Sequence, residues 1–237
     1  MQLFYTNNIQ GDYAYLDENE ARHCIQVLRK QIGDILHFVD GKGTQYEGEI
    51  VEAGRKKCVL SIKKKTESYQ ERKVEVHIAI APTKNIDRLE WFLEKSTEIG
   101  ITEISPILCH RSERKRIRVD RLEKRILAAM KQSLQAFLPK LNELETFEKF
   151  LKRIKNEEED VQRLMAHCEE GNDIHLKEKY QAGKNVIILI GPEGDFSPKE
   201  IEIAQEAGFQ PIHLGVNRLR TETAGIVACH IIALKNT

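Results

Sequence analysis

Two short stretches of the chain carry more polar and flexible residues than a connection between elements requires. The first, IGPEGDFSPKE (Ile190 to Glu200), sets two glycines and two prolines around acidic residues directly after the apolar run NVIILI. The second, LGVNRLRTETAG (Leu214 to Gly225), gathers Arg218, Arg220, Thr221, Glu222 and Thr223 between the run PIHL and an apolar helical pattern. A glycine-rich loop between a strand and a helix usually favours anions, because free backbone N–H groups and the positive helix end face the ligand. Glu193 and Asp195 oppose that use here, and the Gly-Lys-Ser/Thr ending of a phosphate loop is absent. The first loop therefore takes a ligand that is not a bare anion, or it is only a tight turn. Its second half has a structural reading: Ser197-Pro198-Lys199-Glu200 is a capping box with proline at the first helical position. What is left, Gly191-Pro192-Glu193-Gly194-Asp195, is a defined loop whose glycines permit close backbone approach. In the second loop, Thr221 and Glu222 would partly satisfy a solvated helix start.

The densest basic stretch is HRSERKRIRVDR, which carries Arg111, Arg114, Lys115, Arg116, Arg118 and Arg121 near a strand–helix junction. Phosphate contacts by such a cluster would give salt-dependent, sequence-independent affinity for nucleic acid. A solvated helix face is the competing reading. Arg29-Lys30 and Lys63 to Lys65 are weaker candidates, and few aromatics interleave, so base stacking is not strongly signalled. Any such contact is local, because Lys plus Arg and Asp plus Glu number 37 each and the net charge is zero. The five cysteines are odd in number and lack any C-x-x-C spacing, which argues for reduced thiols. Four of them adjoin a histidine, but neighbours on a strand point to opposite faces, so no metal site is expected. No basic-then-apolar leader opens the chain and no run approaches the length of a membrane span, so the reading is cytoplasmic with no membrane partner.

The elements that must position these loops fall into two regions. The first part reads as short strands (QLFYT, YAYL, DILHFVDG, QYEGEIVEAG, CVLSIKKK) interrupted by one amphipathic helix, ENEARHCIQVLRK. That pattern suggests a small β-barrel. The polar, charged segment Lys63 to Lys73 marks a boundary, giving domains 1–71 and 72–237. Beyond it, strands and helices alternate. VEVHIAIAP, EISPILC, QRLMAHCE, NVIILIG and PIHLG read as strands. NIDRLEWFLEKSTEIG, RVDRLEKRILAAMKQSLQAF, TFEKFLKRIKNEE, PKEIEIAQEAG and ETAGIVACHIIAL read as helices. The alternation indicates an α/β fold with a mostly parallel sheet, in which ligands bind at the carboxyl ends of strands.

LIGPEGDFSPKEI followed by HLGVNRLRTETAG resembles the paired signature of the 16S ribosomal RNA (uracil-N3)-methyltransferases of the SPOUT class. The likeness extends to PTKNIDRLEWFLEKSTEIGI, MKQSLQAFLPKL and HCIQVLRKQIGD, and so covers nearly the whole chain. The resemblance implies an amino-terminal PUA-like barrel for RNA and a carboxyl-terminal SPOUT domain tied in a deep trefoil knot. It also implies a homodimer, S-adenosylmethionine as donor and 16S rRNA of the small subunit as acceptor. Carried over by position, it puts Ile190, Gly191, Pro192, Glu193, Gly194, Leu214, Gly215, Leu219, Arg220, Thr223 and Ala224 in the cofactor pocket. Ala166 and His167 would form its third wall. A donor cationic at sulfur tolerates Glu193 as a polyphosphate would not.

For transfer to uracil N3, Arg220 is the candidate for stabilising uracilate charge, and Glu222 is the candidate base. A structural salt bridge is the alternative for Glu222. RNA contacts are expected from Arg29, Lys30, Arg111, Arg114, Lys115, Arg116 and Arg118. The chain departs from the family pattern at Asp195, where a second glycine is common, at the opening MQLFY, and at Lys131 and Gln135. Cofactor motifs say more about the donor than the acceptor. Another SPOUT reaction, on ribose or a different base, therefore stays open, as does a non-catalytic RNA-binding assembly factor.

Overall fold

The computed structural model describes residues 2–54, 56–70, 72–155, 160–168 and 173–237. The chain divides into two compact units, Met1–Glu71 with Leu127–Leu138, and Arg72–Ile126 with Pro139–Thr237.

In the first unit β1 (Leu3–Tyr5), β2 (Ile9–Gln10), β3 (Tyr13–Leu16), β4 (Ile35–Val39), β5 (Gln45–Ala53) and β6 (Cys58–Thr66) form one sheet in the order β1-β4-β5-β6-β3-β2. All pairings are antiparallel except β1 with β4. Alternation in β5 buries Tyr46, Gly48 and Ile50, and Phe4, Phe38 and Leu60 complete the core around them. The expected helix to Lys30 is shorter and changes type. α1 (Glu18–Arg22), capped by Asp17, passes into a π-helical turn, His23–Val27, where Leu28 N–H reaches back five residues to the His23 carbonyl. Arg29, at φ 56°, ends it.

The second unit holds β7 (Val76–Ile80), β8 (Glu103–Leu108), β9 (Lys140–Leu141), β10 (Glu145–Thr146), β11 (Val161–Ala166), β12 (Asn185–Ile190) and β13 (Gln210–Ile212). Their order is β10-β8-β7-β12-β11-β13 with β9 on β8, and every pairing is parallel. All five residues of β7 are buried, as expected for a parallel strand covered on both faces. The helices are α2 (Ile86–Ile99), α3 (Val119–Gln132, of which the part from Leu127 on belongs to the first unit), α4 (Phe147–Lys155), α5 (Leu176–Lys179), α6 (Pro198–Glu206) and α7 (Thr221–Lys235). α4 and α6 cover one sheet face, where Phe147, Phe150 and Ile201 meet Ala79, Met165 and Leu189. Ile80 points the opposite way, and there α7 lies against α2 so closely that a Cβ on Gly225 would stand 2.6 Å from the Phe92 ring.

Several element ends differ from the sequence pattern. The helix expected through Phe137 stops at Gln132, because Leu134 turns to φ 58° and the chain then bonds to the Gly41–Gly43 turn through Ala136 and Leu138. Gly43 permits that approach: a Cβ there would lie 2.2 Å from the Phe137 ring. β2, β9, β10 and α5 have two to four residues each, too few to show a period. Of the helix expected from Thr146 to Glu158, the last three residues lie outside the described ones, as does Glu169 of the strand that closes at Ala166. Among the described residues no helix is long and apolar enough to cross a membrane.

Candidate functional site

The two loops singled out by residue type come together at the carboxyl ends of β11, β12 and β13. They enclose a cavity of about 880 Å³, walled by Ala166 to Cys168, by Ile190 to Phe196 and by Ile212 to Thr221. The loop after β12 is fixed by its neighbours at almost every residue. Thr221 Oγ1 donates to the Gly191 carbonyl at 3.0 Å. Glu193 Oε1 accepts from the Lys84 N–H at 2.9 Å, and Arg218 Nη2 donates to the Glu193 carbonyl at 3.3 Å. Arg111 Nη1 donates to the carbonyls of Gly194 at 2.8 Å and Phe196 at 3.2 Å. Beyond it the capping box forms as the sequence indicates: Ser197 N–H and hydroxyl both donate to Glu200 Oε2 at 2.8 Å. Glu200 is buried, and its other oxygen accepts from the His110 N–H at 2.8 Å, which ties the start of α6 to the end of β8.

Two glycines are required for shape. A Cβ on Gly191 would lie 3.0 Å from the Phe196 ring, and one on Gly194 3.3 Å from Arg111 Cβ. At neither position could a side chain be added without a neighbour giving way. Glu193 and Asp195 line this cavity together with Arg111, Arg218 and Arg220, so it carries both signs of charge. Among the described residues no group of three or more His, Cys, Asp or Glu could hold a metal ion. Burial, then the Asp195 carboxylate, raises the Cys168 thiol above its ordinary value.

Most residues carried over for the cofactor pocket line this cavity, including Ala166, His167, Leu214, Gly215, Leu219, Arg220 and Ala224. Thr223 and Glu222 do not. Glu222 is 5% exposed, and its Oε1 lies 3.7 Å from Arg88 Nε of α2. That placement suits a buried counter-charge better than a base touching substrate. Arg220 is exposed at the start of α7 and lines the cavity.

The basic stretch separates into two kinds of residue. Arg111 braces the β12 loop, and Arg114 donates to the carbonyls of Thr83 at 3.0 Å and Lys84 at 2.6 Å, bracing the loop after β7. Lys115 and Arg116 are exposed and line a second hollow of about 440 Å³ with Lys84, Glu113 and Arg114. Arg118 pairs with Asp120 at 2.9 Å, and Arg121 and Arg125 both meet the buried carboxylate of Glu90. Burial alone would push the Glu90 carboxyl up, but these two guanidinium groups hold it below its ordinary range. On the first unit, Lys63, Lys64 and Lys65 each pair with a glutamate, while Arg29 is exposed and Lys30 half-buried. Sequence reasoning did not assign Thr221, Arg218 or Asp195 to the site. Their contacts join loops distant in sequence and leave no local pattern.

Residues 70–233 match the family model for an RNA methyltransferase domain. The chain belongs to the RNA methyltransferase family. Residues 16–63 match a second model, an RNA methyltransferase PUA domain, so the first unit of this methyltransferase carries a PUA-like domain. The ribosomal RNA small subunit methyltransferase E of Mesomycoplasma hyopneumoniae is 33% identical over 95% of this chain and 96% of its own length. A crystal structure of a probable rRNA-methyltransferase from Porphyromonas gingivalis is 41% identical and superposes with a TM-score of 0.90, covering 100% of this chain and 98% of that one. A Legionella pneumophila putative methyltransferase, solved with the bound cofactor S-adenosylmethionine, is 25% identical with a TM-score of 0.86 over 100% and 98% of the two chains. Membership assigns the cavity to the part of this methyltransferase that the family model covers.

Proposed function

We propose that this chain methylates N3 of a uridine in 16S rRNA of the small ribosomal subunit, using S-adenosylmethionine as donor. The observation that carries the reading is the cavity at the carboxyl ends of β11, β12 and β13. The glycines of the loop after β12 permit close backbone approach, and the carboxylate of Glu193 at the cavity wall suits a cationic ligand. The relatives' names supply the acceptor: they describe ribosomal RNA small subunit methyltransferases.

Bound S-adenosylmethionine supplies a methyl group on a sulfonium, which leaves as a neutral thioether when a nucleophile takes the methyl. The chain's contribution is to hold the reactants in line and to balance charge. Loss of the N3 proton to solvent leaves negative charge on the uracil until the methyl group neutralises it, and Arg220 at the cavity rim is the residue we assign to stabilise that charge. Glu222 acts at one remove, fixing the first turn of α7, which carries Thr221 and follows Arg220 directly. Lys115, Arg116 and Arg118, together with Arg29 and Lys30, are assigned to phosphate contacts. Domain 1–71 is assigned to RNA and domain 72–237 to transfer.

A SPOUT-type trefoil knot is part of this reading. β11 lies between β12 and β13 although it precedes both in sequence, and the loops after all three wall one cavity. A homodimer is the proposed state. Trp91 of α2 and Leu234 of α7 are 46% and 61% exposed, apolar residues that a partner copy would cover. A ribosomal acceptor implies a cytoplasmic protein. The test is transfer: the protein, with methyl-labelled donor and small subunits from a strain lacking its own enzyme, should place label in 16S rRNA. Unlabelled rRNA at saturating donor would overturn the proposal.

A further inference from the structure

Asp195 departs from the glycine common in the family pattern, and its geometry gives the departure a use. Its backbone sits at φ 63°, the left-handed region that suits glycine and that aspartate tolerates better than most residues. The turn is closed by its own N–H, which donates to the Pro192 carbonyl at 2.9 Å. The side chain then does what glycine cannot. Oδ2 accepts from the backbone N–H of Cys168 at 2.9 Å, and Oδ1 accepts from the N–H of Phe196 at 2.8 Å. Cys168 follows the end of β11, and Phe196 closes the loop after β12. One carboxylate therefore joins two walls of the cavity that are 27 residues apart in sequence. It also packs against Gly191, where an added Cβ would stand 3.3 Å from Oδ1.

We infer that Asp195 is a positioning residue for the methyl donor: it locks the end of β11 to the loop after β12 and so holds the pocket in its binding-competent arrangement. The inference rests on the donor assignment above. Both bonds need an acceptor. Asparagine supplies one acceptor and presents an N–H₂ to the second N–H, so it restores half of the link. Glycine keeps the turn and restores none. A pocket whose walls are joined only part of the time binds with an affinity reduced by that fraction, while donor at saturation still fills it.

The experiment is titration calorimetry of S-adenosylmethionine with wild type, Asp195→Asn and Asp195→Gly, followed by kcat and both KM values on small subunits. The expected donor Kd rises at least about fivefold in Asp195→Gly, with Asp195→Asn between it and wild type, on the scale of removing hydrogen bonds to a charged acceptor. At saturating donor, kcat and the KM for RNA stay within about twofold of wild type, as an effect confined to donor binding requires. A donor Kd for Asp195→Gly within about twofold of wild type overturns the inference. A joint collapse of donor binding, RNA KM and kcat with a fallen Tm overturns it too, because the residue would then serve the fold at large. No binding by the wild type overturns the donor assignment itself, and the inference with it.

Discussion

Arg220 stands apart from the other arginines around the cavity. Arg111 and Arg218 are tied to loop carbonyls, whereas Arg220 is exposed at the rim and makes no side-chain hydrogen bond or ion pair among the described residues. An uncommitted guanidinium at the rim is available to meet uracilate charge. Arg220→Ala is expected to lower the single-turnover rate on small subunits by about 10²–10³-fold, the size seen when one charge-stabilising donor is removed, while donor Kd changes by less than about threefold. Quench-flow with labelled donor checks the rate and calorimetry the affinity. At this scale the sequence was readable where identity alone carries meaning: a capping box, glycines near a strand end, an arginine before a helix. Asp195 was not readable, because its function lies in a bond to Cys168. Glu222 was readable only as a base or as half of a salt bridge, because a polar residue beside a loop says nothing of which way the helix turns it; here it is buried and faces Arg88.

Among the elements, the second half of α3 is joined to α1 by one largely buried ion pair. Lys131 Nζ meets Glu20 Oε1, whose side chain is 8% exposed, and Glu20 Oε2 also accepts from the Tyr5 N–H at 3.2 Å. Around this pair Met130 and Ala136 pack with Leu3 and Val39. Lys131 is one of the positions where the chain departs from the family pattern, and its structural role accounts for that residue without an RNA contact. Lys131→Glu sets two carboxylates together in a buried place and is expected to cost about 3–5 kcal/mol of stability. The exchanged pair Glu20→Lys with Lys131→Glu should recover part of it, as urea unfolding would report; equal destabilisation in the single and double variants would contradict the pairing. The long helices and the central strands were legible from their periods, and α2 ends where Gly100 supplies a left-handed φ of 110°. The end of α3 was not, because the chain leaves the helix to bond with Gly41 and Gly43, far away in sequence.

The molecule as a whole has no net charge, so attraction to RNA must come from its exposed basic residues. Replacing Lys115, Arg116 and Arg118 together by alanine is expected to reduce the slope of log affinity against log salt by about 0.7–0.9 for each phosphate no longer neutralised. Filter binding of 16S rRNA fragments across salt concentrations measures the slope; an unchanged slope would place the RNA elsewhere. Stability should also depend on pH through His77, which is buried with Nε2 2.8 Å from Ser105 Oγ and 3.9 Å from Glu103 Oε1. Burial lowers its imidazole to about 4, against the opposing pull of Glu103. Because the unfolded chain titrates at about 6.5, it binds the proton first on acidification. Stability is therefore full above about pH 6.5 and falls toward about pH 4, by on the order of 3 kcal/mol from this group. His77→Gln should flatten that part of the curve in urea titrations at stepped pH.

Digesting 16S rRNA from methylated small subunits to nucleosides and identifying the product by mass spectrometry shows which atom carries the methyl group. The proposed transfer to uracil N3 predicts 3-methyluridine, formed at one site and about 10²–10³-fold more slowly in Arg220→Ala. A methyl group on a ribose hydroxyl or on another base would contradict the account.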